Sequence, residues 1–145
     1  MDRKNKVMVV EDDSDINELI AYNLAREGFC VEQAFDGTAA QERLRGEHFN
    51  VVVLDLMLPD IDGFRICKAI KEGPDSFRTF VVVVSARTDP QDKLYANILG
   101  ADYYMPKPFS VGSLVGIVKE MDSMLNRKFT VEERNVHLNK RKEAG

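Results

Sequence analysis

Short apolar runs alternate along this chain with longer segments of helical period. Lys6–Val10 is rich in valine and ends at Glu11 and Asp12, and the run 51–54 delivers Asp55 in the same way. Continuous β-branched runs of this length read as strands covered on both faces. After the first strand, Ser14 is placed to cap a helix in which Ile16, Leu19, Ile20 and Leu24 recur at helical spacing, with Gly28 to end it. Residues 30–35 form a weaker strand, Asp36-Gly37 a turn, and 38–45 a short helix with Ala40 and Leu44 inward. The third strand, 51–55, runs into a loop over 56–62. Gly63 then opens a helix with Phe64, Cys67 and Ile70 on one face, stopped by Gly73-Pro74. A fourth strand covers 79–84 and ends at Ser85. Pro90 begins a helix whose predicted stripe is Leu94, Ile98 and Leu99, ended by Gly100. A short strand at 102–105 ends near Lys107. Ser110 caps a last helix carrying Val111, Leu114, Val115, Val118, Met121 and Leu125.

Five strands alternating with five helices define an α/β protein, a (βα)5 unit whose parallel sheet carries helices on both faces. Each crossover must be right-handed and cover an apolar strand face. In open parallel sheets, residues at the carboxyl ends of the strands line the ligand crevice. That rule gathers Glu11, Asp12 and Asp55 at one spot. Like charges so close resist ionising together, so a cation is needed among them, and hard oxygen donors suit Mg²⁺, with Mn²⁺ able to substitute.

The 145 residues are enough for one domain with one real core. An apolar fraction of 44% fits a globular chain, no run approaches a membrane span, and the N-terminus passes straight into a strand, so a cytoplasmic protein is expected. Cys30 and Cys67 stand alone and read as small buried hydrophobes; His48 and His137 are also solitary. Residues 1–125 hold 14 basic and 21 acidic side chains, whereas 126–145 hold 6 and 3. An acidic body excludes direct nucleic-acid binding by the main domain, which needs a basic face. The division places one domain at 1–125. Residues 126–145 follow as linker, helix extension or the start of an output domain, with Val136-His137-Leu138 as a candidate strand.

Five short elements carry a resemblance: Val-Val-Glu-Asp-Asp at 9–13, Leu-Asp-Leu-Met-Leu-Pro-Asp at 54–60 followed by Asp62-Gly63, Val-Val-Ser-Ala at 83–86, Gly-Ala-Asp-Tyr-Tyr at 100–104, and Lys-Pro-Phe at 107–109. In this order and spacing they resemble the receiver domain of two-component response regulators over about residues 5–125. The resemblance implies a flavodoxin-like fold with strand order 2-1-3-4-5. It makes Asp55 the phosphoryl acceptor, with Mg²⁺ on Asp12, Asp55 and the Met57 carbonyl, and Glu11 acting through water. Lys107 and Ser85 would contact phosphoryl oxygens. Tyr104 would be the switch aromatic, swinging inward as the Ser85 hydroxyl moves. The implied donor is a sensor histidine kinase or phosphotransfer protein, and the implied readout is a face of the fourth helix, last strand and last helix that binds a partner or a second copy. Met57 and Arg87 would flank the approach of hydrolytic water and tune dephosphorylation, Arg87 by pairing with the phosphoryl group. The loop must also turn sharply to aim Lys107, which predicts a cis peptide to Pro108.

Other classes fit less well. A Mg²⁺ phosphohydrolase with an aspartate nucleophile needs a second acid two residues on, where this chain has Met57. A flavin carrier needs a glycine- and hydroxyl-rich loop after strand one, where Glu11-Asp12-Asp13 stand. A phosphorylation-independent binding module leaves the acid, hydroxyl and lysine set unused. The last helix lacks the charges of regulators that dimerise through this face and carry a winged-helix output, so the output type stays open.

Overall fold

A computed structural model describes residues 5–126 apart from 75 and 88. Within them β1 (Lys6–Val10), β2 (Cys30–Ala34), β3 (Val51–Asp55), β4 (Phe80–Ser85) and β5 (Tyr103–Pro106) alternate with α1 (Ser14–Arg26), α2 (Gly37–Gly46), α3 (Gly63–Glu72), α4 (Pro90–Ile98) and α5 (Val111–Asn126). All strand pairs are parallel, in the order β2-β1-β3-β4-β5. The fold is the expected flavodoxin-like (βα)5 sheet. Val136-His137-Leu138 and the rest of the tail beyond Asn126 lie outside the described residues.

The valine runs work because both faces of the sheet are covered. Met8, Val10, Val52, Leu54, Val81 and Val83 point to one side, where Ala40 of α2, Ile66 and Cys67 of α3, and Ala96 of α4 meet them. Val7, Val9, Val51, Val53, Val82 and Val84 point to the other, against Ile20 and Leu24 of α1 and Leu114, Val118 and Met121 of α5. The period of two thus sorts each strand between two cores. Cys67 is buried and Cys30 half-buried, and both are free thiols.

The first two helices start one residue earlier than expected, while α3 and α4 start at Gly63 and Pro90 as expected. Asp13, not Ser14, caps α1, its carboxylate accepting from the Asp15 and Ile16 amides at 3.0 and 3.2 Å. Asp36 caps α2, which begins at Gly37, while Asp62 caps α3 and Asp89 caps α4. A carboxylate both accepts from the free amides and meets the positive end of the helix dipole, so it outcompetes a neighbouring serine. Ser110 does cap α5, its hydroxyl accepting from Ser113 N at 3.3 Å.

Two apolar stripes are corrected. On α4, Leu94 and Ile98 are 59% and 70% exposed, while Ala96 is buried with Leu99 partly buried beside it. Leu94 and Ile98 lie one turn apart on the side opposite Ala96, whose small side chain lets the helix sit close to the sheet. On α1, Leu19 stays at the surface, and Asn17 and Ala21 take the inward face with Ile20 and Leu24. Phe35 lies beyond β2 and is exposed, and β4 and β5 each start one residue later than expected.

Gly63 fixes how α3 leaves the loop after β3. A Cβ there would lie 2.5 Å from Leu56 Cα and 2.7 Å from the Asp55 carbonyl oxygen, whereas one at Gly46 would meet nothing within 4 Å. We expect Gly63→Ala to cost about 1–3 kcal/mol, the usual penalty of forced overpacking. Gly46→Ala should be neutral or stabilising by up to about 1 kcal/mol. Urea midpoints measured side by side test this; equal midpoints would show that the loop yields freely.

Candidate phosphoacceptor site

The crevice is built by chain exits from four strands. β1 delivers Glu11 and Asp12, β3 ends in Asp55, β4 ends in Ser85, and β5 leads into Lys107. One carboxylate oxygen from each of Glu11, Asp12 and Asp55 lies within 4.8 Å of the others, with Glu11 and Asp55 buried and Asp12 exposed. Lys107 reaches into this group, its Nζ donating to Glu11 Oε1 at 2.5 Å and to Asp55 Oδ2 at 3.1 Å. Its backbone is set by a hydrogen bond from Lys107 N to the Ser85 carbonyl at 2.8 Å, and the peptide to Pro108 is cis, as the turn requires. The Met57 amide donates to Asp55 Oδ1 at 3.0 Å, so both Asp55 oxygens are oriented. The Met57 side chain lies exposed.

The electrostatics follow from crowding. Burial, and then the neighbouring Asp55 carboxylate, push Glu11 up to about 7 against the pull of Lys107. Burial opposes the charge on Lys107, but hydrogen bonds and charges from Glu11 and Asp55 outweigh it and raise its pKa. The acids therefore hold a cation already, supplied by the protein. Three convergent carboxylate oxygens are hard donors and fit Mg²⁺ by donor type.

Ser85 is fully buried, and its Oγ accepts from Arg87 N at 3.1 Å, leaving its own proton to donate elsewhere. Tyr104 packs half-buried against the core, and its hydroxyl donates to the Arg87 carbonyl at 2.8 Å. The ring therefore already lies inward. The Arg87 guanidinium stacks over Phe64 at 5.6 Å and pairs with Asp92 at 3.5 Å; those partners draw it toward α3 and α4 rather than onto Asp55. The expected pairing of Arg87 with a phosphoryl group is thus not prefigured here.

Two residues that carried no expected role shape the site. Asn17 is fully buried in α1 and binds the backbone where β1 and β2 end. Asp60 accepts from Gly37 N, Thr38 N and Thr38 Oγ1 at 2.8, 2.9 and 2.7 Å, tying the loop after β3 to the start of α2. The Thr38 hydroxyl and then the Gly37 amide hold its carboxyl well below the usual carboxylate range. Neither had a local signal: the Asn17 amide is satisfied by carbonyls of β1 and β2, and the Asp60 tether joins elements remote in sequence.

Comparison with known proteins agrees with this geometry. Residues 7–119 match the response regulator receiver domain, and the chain belongs to that family. Over 116 residues it is 34% identical to the phosphate regulon transcriptional regulatory protein PhoB of Rhizobium meliloti (strain 1021), covering 80% of this chain and 51% of that protein. The chain thus spans about half the length of this curated relative. Among solved structures, the BeF3-activated DrrB receiver domain is 34% identical with a TM-score of 0.76, covering 83% of this chain and 99% of that one. DrrB itself, a Thermotoga maritima OmpR/PhoB homolog, superposes with a TM-score of 0.74 at 34% identity, over 84% of this chain and 54% of that one. The chemotaxis response regulator CheY4 of Vibrio cholerae is 26% identical with a TM-score of 0.76, over 82% and 99% of the two chains.

The raised Glu11 value has a consequence for stability. Between pH 4.5 and about 7 the folded chain binds more protons at Glu11 than the unfolded chain, so this group's contribution to stability falls as pH rises through that window. We expect chelator-treated protein to lose stability across it, and Glu11→Gln to lose less. Urea unfolding at a series of pH values checks this; parallel curves for parent and variant would show that Glu11 titrates normally.

Proposed function

We propose that this receiver domain is a phosphorylation-driven signalling switch in which Asp55 accepts a phosphoryl group. The observation that carries the reading is the convergence of Glu11, Asp12, Asp55 and Lys107 at neighbouring strand ends. In it Asp12, Asp55 and the Met57 carbonyl would hold Mg²⁺, and Glu11 would act through water. When bound, the ion neutralises the approaching phosphoryl oxygens. A carboxylate is a weak nucleophile and needs a donor with a good leaving group, which phosphohistidine on a sensor kinase or phosphotransfer protein supplies. One Asp55 oxygen forms the new P–O bond while the donor P–N bond breaks, its electron pair leaving with the imidazole. Lys107 trades its carboxylate contact for a phosphoryl oxygen, and the Ser85 hydroxyl donates to another. The domain catalyses only its own phosphorylation and slow dephosphorylation.

The readout we assign to the α4–β5–α5 face. There Leu94, Ile98 and Tyr103 are exposed, and a groove of about 530 Å³ runs between α4 and β5, lined by Pro90, Leu94, Ala101 and Tyr104 among others. Such an apolar surface supports binding of a partner or a second copy. The receiver unit is taken as 1–125, with 126–145 as linker, helix extension or the start of an output domain, and 34% identity to a transcriptional regulatory protein supports an output in transcription. Among the described residues no helix is long and apolar enough to cross a membrane, and we place the domain in the cytoplasm.

Incubation with acetyl phosphate and Mg²⁺, followed by intact mass measurement, tests the reading. We expect a single phosphoryl adduct that is lost in Asp55→Asn and abolished by excess chelator. Turnover without an adduct would indicate a hydrolase, and no change a phosphorylation-independent binding module; undiminished labelling of Asp55→Asn would move the acceptor elsewhere.

The adduct should be long-lived, because neither Met57 nor Arg87 can orient attacking water as an acid or amide does. We expect the double change Met57→Asn with Arg87→Glu to dephosphorylate faster than the parent once donor is removed. Equal or slower decay would remove these positions from control of the lifetime.

A further inference from the structure

We propose that Asn17 is a positioning residue for the crevice acids, an inference that rests on reading the crevice as a Mg²⁺-dependent phosphoacceptor site. Asn17 is fully buried within α1, a costly place for an amide unless every polar atom is used. Its Nδ2 donates to the Glu11 carbonyl at 2.9 Å and the Ala34 carbonyl at 3.1 Å, with a longer 3.4 Å approach to the Val9 carbonyl. Its Oδ1 accepts from Gln33 Nε2 at 2.9 Å. Both ends of the amide are therefore committed to β1 and β2.

The position of these contacts gives the residue its role. The pairing of β1 with both neighbours ends at Val10, opposite Ala34 and Leu54, and the last strand-like bond is Glu11 N to the Ala34 carbonyl at 3.1 Å. Asn17 holds the very next acceptor, the Glu11 carbonyl. That carbonyl belongs to the same rigid peptide plane as the Asp12 amide. Fixing it sets the direction in which the chain leaves the sheet, and hence where the exposed Asp12 carboxylate and the buried Glu11 carboxylate stand relative to Asp55. A residue that only filled the core would have needed neither polar atom, since Ile20 and Leu24 on the same helix face fill it with carbon.

The test uses Asn17→Leu, of similar volume without hydrogen bonds, beside Ile20→Val, a core change on the same helix that touches no crevice backbone. Mg²⁺ affinity is measured by calorimetry without phosphodonor, and amide hydrogen exchange at Glu11 and Asp13 is followed in chelator-treated protein. Loss of a group that orients metal ligands weakens metal binding about tenfold or more. We expect that loss in Asn17→Leu, with faster exchange at both amides, and parent-like values in Ile20→Val. Half-saturating Mg²⁺ for labelling by acetyl phosphate should rise in parallel, while the rate at saturating Mg²⁺ stays near the parent's. Unchanged Mg²⁺ affinity in Asn17→Leu, or an equal loss in Ile20→Val, would overturn the proposal while leaving the phosphoacceptor reading intact. A parent that neither binds Mg²⁺ nor accepts phosphoryl would sink both. If Asn17→Leu does not accumulate as folded protein, Gln33→Met, which frees one end of the amide, replaces it: weaker Mg²⁺ binding supports the proposal, and unchanged binding overturns it.

Discussion

Negative charge held closer than it would choose to be is the constraint around which this domain is arranged. Glu11, Asp12 and Asp55 come from two strands, and no local preference of either segment brings them together. The sheet does so, at the expense of ordinary ionisation at Glu11. Lys107 relieves the crowding from a third strand end, bonded to both buried carboxylates. A lysine in that place makes the acids tolerable, its compact ammonium serving both carboxylates from a flexible stem.

The surrounding chain is organised to keep this group from relaxing apart. Gly63 lets α3 begin against the backbone of Asp55 and Leu56, Asp60 ties the intervening loop to α2, and Lys107 is anchored through its amide to the Ser85 carbonyl. The Arg87 peptide is held at its amide by Ser85 and at its carbonyl by Tyr104. The backbone of one residue, through the two peptides that flank its Cα, therefore joins the hydroxyl at the end of β4 to the aromatic ring beside the α4–β5 groove. Both hydrogen bonds thus meet on a single residue of the segment between β4 and α4.

Much of this was legible in the residues. The strands announced themselves because burial on both faces demands continuous valine, and once they were placed, Glu11, Asp12, Asp55, Ser85 and Lys107 fell at their carboxyl ends without further assumption. The facing of helices was harder. Periodicity on α4 selected Leu94 and Ile98, but close packing selected Ala96, since a small residue permits an approach that large ones prevent. On α1 the inward position went to Asn17, whose burial depends on carbonyls of β1 and β2 that no local pattern reveals. The same holds for Arg87: its spacing after Ser85 was readable, its stacking on Phe64 and pairing with Asp92 were not.

The capping residues of the first four helices are Asp13, Asp36, Asp62 and Asp89. Parallel crossovers start every such helix at the carboxyl edge of the sheet, so these four charges share an end of the molecule with Glu11, Asp12 and Asp55. Helix dipoles offset them only in part and only at short range. The crevice therefore opens onto an anionic rim, which small anionic donors must approach uphill and which a protein with a basic docking surface approaches downhill. Ionic strength consequently acts in opposite senses on the two routes: added salt shields the rim and eases the entry of a small phosphate ester, while it removes the long-range attraction that draws in a basic protein.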